Sequence, residues 1–168
     1  MSHPTPPPAG SCEHDAMTDQ IAIQDTYPED FAHCFGCGRN NATGYHFKTY
    51  EDGARATTDF TPASYHTGGA EYAYGGIIAS VIDCHSAGSA AIFWMQSAGQ
   101  EVGSITSPRF VTARLEVDYI APTIVGPLHL VGRAIEVGER KVIVSTDLSA
   151  QGIVTAKGKA VMVKVPAG

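Results

Sequence analysis

Two features of the sequence have the residue types and spacing for chemistry on a carbonyl group. The first is Gly75-Gly76, which opens a long apolar run ending at Gln96. If that run is a helix, its first N–H groups have no intrahelical partner and carry the positive end of the helix dipole. Glycines lack a Cβ, so a ligand can approach the backbone there, and such a terminus can hold a developing oxyanion. The second is Asp83, in Val81-Ile82-Asp83-Cys84. A carboxylate inside an apolar helix is costly to bury unless it is paired or hydrogen-bonded, and functional sites are a common reason to keep one. Such a group can attack a carbonyl or activate a water.

Other chemically capable residues lie nearby. His66 precedes Thr67-Gly68-Gly69 in a loop and is placed to line a site. His85 is two residues beyond Asp83, about 200° round the helix, which points to a structural or interface role. At an interface it joins Tyr74, Gly75 and His66 as a candidate substrate contact. Cys84 reads as a small core residue, because no base adjoins it. Ser86 and Ser89 lack the strained elbow that surrounds a hydrolase serine. Cys34-x-x-Cys37 has the spacing of half a zinc site, with His33 and His46 close in sequence. A second ligand pair is missing, and so is the βαβ setting of a redox pair. The reading is two reduced thiols in a turn, with no metal.

The elements that must position these groups follow from patterning. The stretch Gly75–Gln96 contains no proline and is apolar or small nearly all round a helical wheel, which describes a buried helix about 33 Å long. Gly88, Ser89 and Ala90 allow other backbone close to it. Before it, strands are expected at Tyr45–Tyr50 and Arg55–Phe60, joined by a turn at Glu51-Asp52-Gly53, followed by a loop from Pro62 to Tyr74. After it come strands at Thr112–Ile120, Leu128–Val137, Lys141–Ser149 and Ile153–Val165, with hairpin turns at Gly138-Glu139-Arg140 and Gln151-Gly152. Helix and strands are segregated, so the class is α+β: one antiparallel sheet wrapped around one central helix.

In this order three stretches resemble the hotdog-fold acyl-CoA thioesterases of the PaaI-like, phenylacetate-degradation type. They are HCFGCGRNNATGYHF, YGGIIASVIDCHSAGSAA and the strand meander that begins FVTARLEVDYIAP, together covering roughly residues 31–165. The resemblance implies that the Gly76 N–H polarises a thioester carbonyl, that Asp83 is the catalytic carboxylate, and that Thr112 positions the water or the carboxylate. Tyr74 stands where the family has a histidine, which leaves the substrate class open. Strict alternation puts Thr112 on the face of Arg114 and Glu116, so a bulge is needed to turn it toward the helix.

Gly76 and Asp83 are seven residues apart, hence on one helix face but about 10 Å apart along the axis. One carbonyl does not readily meet both from a single helix. The simplest remedy is an obligate homodimer in which Gly76 of one chain faces Asp83 of the other. The family resemblance adds a further pairing into a dimer of dimers, a homotetramer. For the CoA phosphates, Arg109, Arg114, Arg133, Arg140, Lys141, Lys157 and Lys159 are available. The acyl pocket draws on Ile77, Phe93, Trp94 and Met95. Two alternatives use the same residues: a hotdog dehydratase or hydratase pairing His66 with Asp83, or a non-catalytic acyl-CoA binding protein.

The remaining bounds come from composition. A chain of 168 residues, 43% hydrophobic, can bury a sizeable core and suggests one domain, here 21–168, behind a proline-rich disordered tail over residues 1–20. A net charge of −6 argues against a nucleic-acid partner. No unbroken apolar run is long enough to cross a membrane, and no secretory signal is apparent. The expected setting is cytoplasmic, with reduced cysteines and no cofactor.

Overall fold

The computed structural model describes residues 20–166; the expected tail lies almost wholly outside them. The strands are β1 (Tyr50–Asp52), β2 (Arg55–Phe60), β3 (Phe110–Tyr119), β4 (Leu128–Val137), β5 (Lys141–Ala150) and β6 (Ile153–Lys164), and the helix α1 spans Gly75–Ser97. All strand pairs are antiparallel, in the order β1-β2-β4-β5-β6-β3. The sheet wraps α1, as the alternating strands and the all-round apolar helix require.

The core sits between them. Leu128 and Leu130 of β4, Val142, Val144 and Leu148 of β5, and Ala156, Ala160 and Met162 of β6 alternate inward onto α1. The helix meets them with Ile77, Val81, Ile82, Ala91, Ile92 and Met95, each essentially without solvent exposure. Burying each large aliphatic side chain contributes about 1.5–3 kcal/mol. By length and composition α1 could itself cross a membrane, although polar residues interrupt its apolar run, but 72% of its most apolar window is packed inside the domain. Three of the four expected acyl-pocket residues, Ile77, Phe93 and Met95, belong to this core.

Two local details decide register. At the β5–β6 hairpin Gln151 and Gly152 both have positive φ, 53° and 77°, the backbone of a tight two-residue turn whose twist matches its strands. In β3 the pairing with β6 shifts between Thr112 and Arg114, leaving Ala113 as the extra residue. That bulge turns Thr112 to the helix side, which strict alternation denied it.

One expected strand is corrected. Residues 45–49 are not a strand, and β1 is only three residues long, with its turn shifted to Gly53-Ala54. His46 takes a left-handed φ of 55°, which breaks an extended run. The Thr49 backbone is engaged elsewhere: its N–H donates to the Gln24 side chain at 2.7 Å and its carbonyl accepts from Ile23 N–H at 3.0 Å. The segment is fixed instead by packed rings, with Tyr45 against Phe35 and Phe47, and Phe47 against Phe60.

Candidate active site

The start of α1 is open. Tyr74 at the N-cap has no side-chain cap bond, and the Ile77 and Ile78 N–H groups both turn back to its carbonyl, at 3.0 and 3.3 Å. The N–H groups of Gly75 and Gly76 donate to no acceptor among the described residues. The Tyr74 ring folds over Gly76 where a Cβ would overlap it, so any side chain there must displace that ring. From the end of β3 the Tyr119 hydroxyl donates to the Gly75 carbonyl at 2.7 Å and anchors the terminus. A shallow cavity of about 300 Å³ adjoins it, lined by Tyr72, Gly75, Ile78, Tyr119, Ile120 and Pro122 among others. A larger cavity of about 420 Å³ lies at the far end of α1, beside Trp94 and Arg109, and neither Gly76 nor Asp83 lines it.

Two turns along α1, Asp83 is half-buried. Thr112, turned inward by the bulge, donates its hydroxyl to Asp83 Oδ1 at 2.6 Å. The second carboxylate oxygen has no hydrogen-bond partner among the described residues. Burial holds the carboxyl above its ordinary range, the Thr112 hydroxyl pulls the other way, and negative charge at Cys34 adds a smaller upward push. The pair thus consists of an oriented carboxylate with one oxygen fixed and one available, partly withdrawn from water.

The histidines divide differently. His85 is fully buried, and its expected contact with substrate is corrected by its surroundings. Nδ1 lies 2.9 Å from Thr58 Oγ1 and Nε2 lies 3.3 Å from Ser89 Oγ. Since the Thr58 hydroxyl donates to Thr49, Nδ1 carries the proton and Nε2 accepts from Ser89. Burial pushes the imidazole down to about 3, with His129 adding to the effect, so it is neutral. A ring rotated about 200° from Asp83 points into the sheet, against Gly132. His66 is half-buried in the loop before α1. Its Nδ1 accepts the Ala63 N–H at 3.1 Å, its carbonyl accepts the Tyr74 N–H at 2.9 Å, and it makes no hydrogen bond to Asp83. It therefore shapes the approach to the helix start, through Tyr74. Tyr74 itself is 57% exposed above Gly76.

The cysteines reveal what spacing could not. Cys84, read from sequence as a plain core residue, is buried, but its Sγ lies 3.9 Å from that of Cys34. The Cys34, Cys37 and Cys84 sulfur atoms all lie within 4.8 Å of one another. Hydrogen bonds from its neighbours hold the Cys34 thiol far below its ordinary range, whereas contact with Cys34 and burial raise Cys37 and Cys84. The third thiol comes from 47 residues beyond Cys37, out of reach of any local motif.

No protein-family model and no curated protein matches the chain. Solved structures do. A thioesterase superfamily protein from Shewanella loihica is 45% identical, over 73% of this chain and 93% of that one, with a TM-score of 0.59. The Escherichia coli PaaI protein of the phenylacetic acid degradation operon is 14% identical, over 75% and 84%, with a TM-score of 0.60. A Streptococcus mutans protein solved bound to acetyl-CoA is 18% identical, over 71% and 88%, with a TM-score of 0.55. The last two establish likeness of fold. Identity across nearly the whole Shewanella protein, together with a six-stranded antiparallel sheet around one long helix, shows that this chain belongs to the hotdog-fold thioesterase superfamily.

Proposed function

We propose that the protein hydrolyses an acyl-CoA thioester to a free acid and CoA, using Asp83 as general base. The observation that carries this reading is the Asp83–Thr112 pair: one carboxylate oxygen is held at 2.6 Å by a hydroxyl and the other is left to bind a water. Burial raises the carboxyl toward the range where it can take a proton from that water. The water oxygen attacks the thioester carbonyl while its proton moves to Asp83. The oxyanion that forms is met by the Gly76 N–H, backed by the helix dipole. Collapse expels the CoA thiolate, which recovers the proton from Asp83, and the product acid ionises to solvent.

The two groups come from different chains of a homodimer. Within one helix they stand about 10 Å apart. β3 is a ten-residue edge strand with exposed Val111 and Tyr119, followed by exposed Ile120, a surface suited to pairing with a second copy. CoA as the carrier is supported by the acetyl-CoA bound to the Streptococcus mutans relative. Among the described residues Arg140 and Lys159 enter no ion pair, which leaves them free for phosphate; Arg109, Arg114 and Arg133 are engaged by acids.

A thiol-release assay tests the activity, using alkyl-CoA substrates of short, medium and long chain with phenylacetyl-CoA and benzoyl-CoA. Catalytic release of CoA from one class, lost in Asp83→Asn, is the expected result. Full turnover by folded Asp83→Asn contradicts the mechanism, and no release from any substrate contradicts the function.

A further inference from the structure

We propose that Cys34, Cys37 and Cys84 bind a zinc ion that fastens the loop before β1 to α1, next to Asp83. The three sulfur atoms already converge within 4.8 Å of one another. In a tetrahedral zinc site with Zn–S bonds of about 2.3 Å, neighbouring sulfurs stand about 3.8 Å apart, and the Cys34–Cys84 separation is 3.9 Å. The donor set is all thiolate, which suits zinc over hard cations such as magnesium.

The surrounding backbone is shaped for this cluster. The Gly38 N–H closes the turn onto the Cys34 carbonyl at 2.8 Å, and a Cβ on Gly38 would meet Cys34 backbone within 2.5–2.7 Å. A Cβ on Gly36 would overlap the Cys84 sulfur, so the loop closes over the helix thiol only because that position is glycine. A disulfide would use two of these sulfurs and leave the third without a purpose; a metal uses all three. Cys34 is the exposed member, so the fourth ligand is a solvent molecule on its side. Zinc takes the three cysteines as thiolates, so any protons they still hold leave to solvent as Zn²⁺ binds, and no electron transfer is involved.

The test is metal stoichiometry of the full chain, purified under reducing conditions with zinc present, and the absorption of Co²⁺ bound after chelator treatment. We expect one zinc per chain, and for cobalt a thiolate charge-transfer band with the visible bands of a tetrahedral ion. Cys34→Ser, at an exposed position, and Cys37→Ser should each lose the bound zinc and that spectrum while circular dichroism remains unchanged. Cys12→Ser, outside the described residues, should keep both. Metal-free protein without the cobalt bands, zinc retained in Cys34→Ser, zinc lost in Cys12→Ser, or a Cys34–Cys37 or Cys34–Cys84 disulfide by mass spectrometry would each overturn the assignment.

Discussion

Asp83 and His85 lie two residues apart on one helix, in opposite settings. Asp83 is half-buried, holds one hydrogen bond and keeps an oxygen free. His85 is sealed beneath the sheet, with both ring nitrogens bonded to hydroxyls and no route to solvent. Its partners continue the chain of bonds: Thr58 donates to Thr49, which also accepts from Gln24, so a buried polar line joins α1 to β2 and to the segment around Gln24. The contrast shows that a polar residue in an apolar helix says little by its type alone. Spare hydrogen-bonding capacity beside an opening marks Asp83 for chemistry, whereas complete satisfaction marks His85 for structure.

The comparison can be broken by exchanging what each residue is asked to do. The largest effect is expected at Asp83: Asp83→Asn should lower kcat for thioester hydrolysis about 10³-fold with little change in melting temperature. His85→Leu should do the reverse. It leaves Thr58 and Ser89 short of partners inside the core, which costs about 2–4 kcal/mol in urea unfolding, while kcat per folded molecule is unchanged. If His85→Leu abolished turnover without loss of stability, the division between the two residues would be wrong. Thr112→Val keeps the branched shape and deletes the hydroxyl that orients Asp83. We expect a fall in kcat of about tenfold, the value of one hydrogen bond to a charged group, with KM and stability nearly constant.

Much of this arrangement is legible in the sequence. The helix from Gly75 and the strands from Arg55 and Leu128 onward follow from periodicity, because the apolar faces are continuous and the breaks carry glycine, whereas the need for a bulge near Thr112 follows only when the role implied by the family resemblance is set against strict alternation. What escaped depends on contacts distant in sequence. The stretch 45–49 has strand composition, but a left-handed His46 and the Gln24 side chain take its backbone away from the sheet. The angle round a helix separates His85 from Asp83 but does not say which face meets the sheet and which stays half-open. Cys84 joins Cys34 and Cys37 only because the loop folds back over α1 at Gly36.

The central claim is that one site is assembled from two chains, Gly76 of one and Asp83 of the other. Complementation tests it directly. Gly76→Pro removes the N–H near the first turn, where proline is tolerated, and Asp83→Asn removes the base; each variant alone should be inactive. After subunit exchange at equal amounts, half of the dimers are mixed and each carries one intact site, so activity should return to about a quarter of wild type. No recovery despite demonstrated exchange, or full activity in a wild-type monomer, would contradict the account.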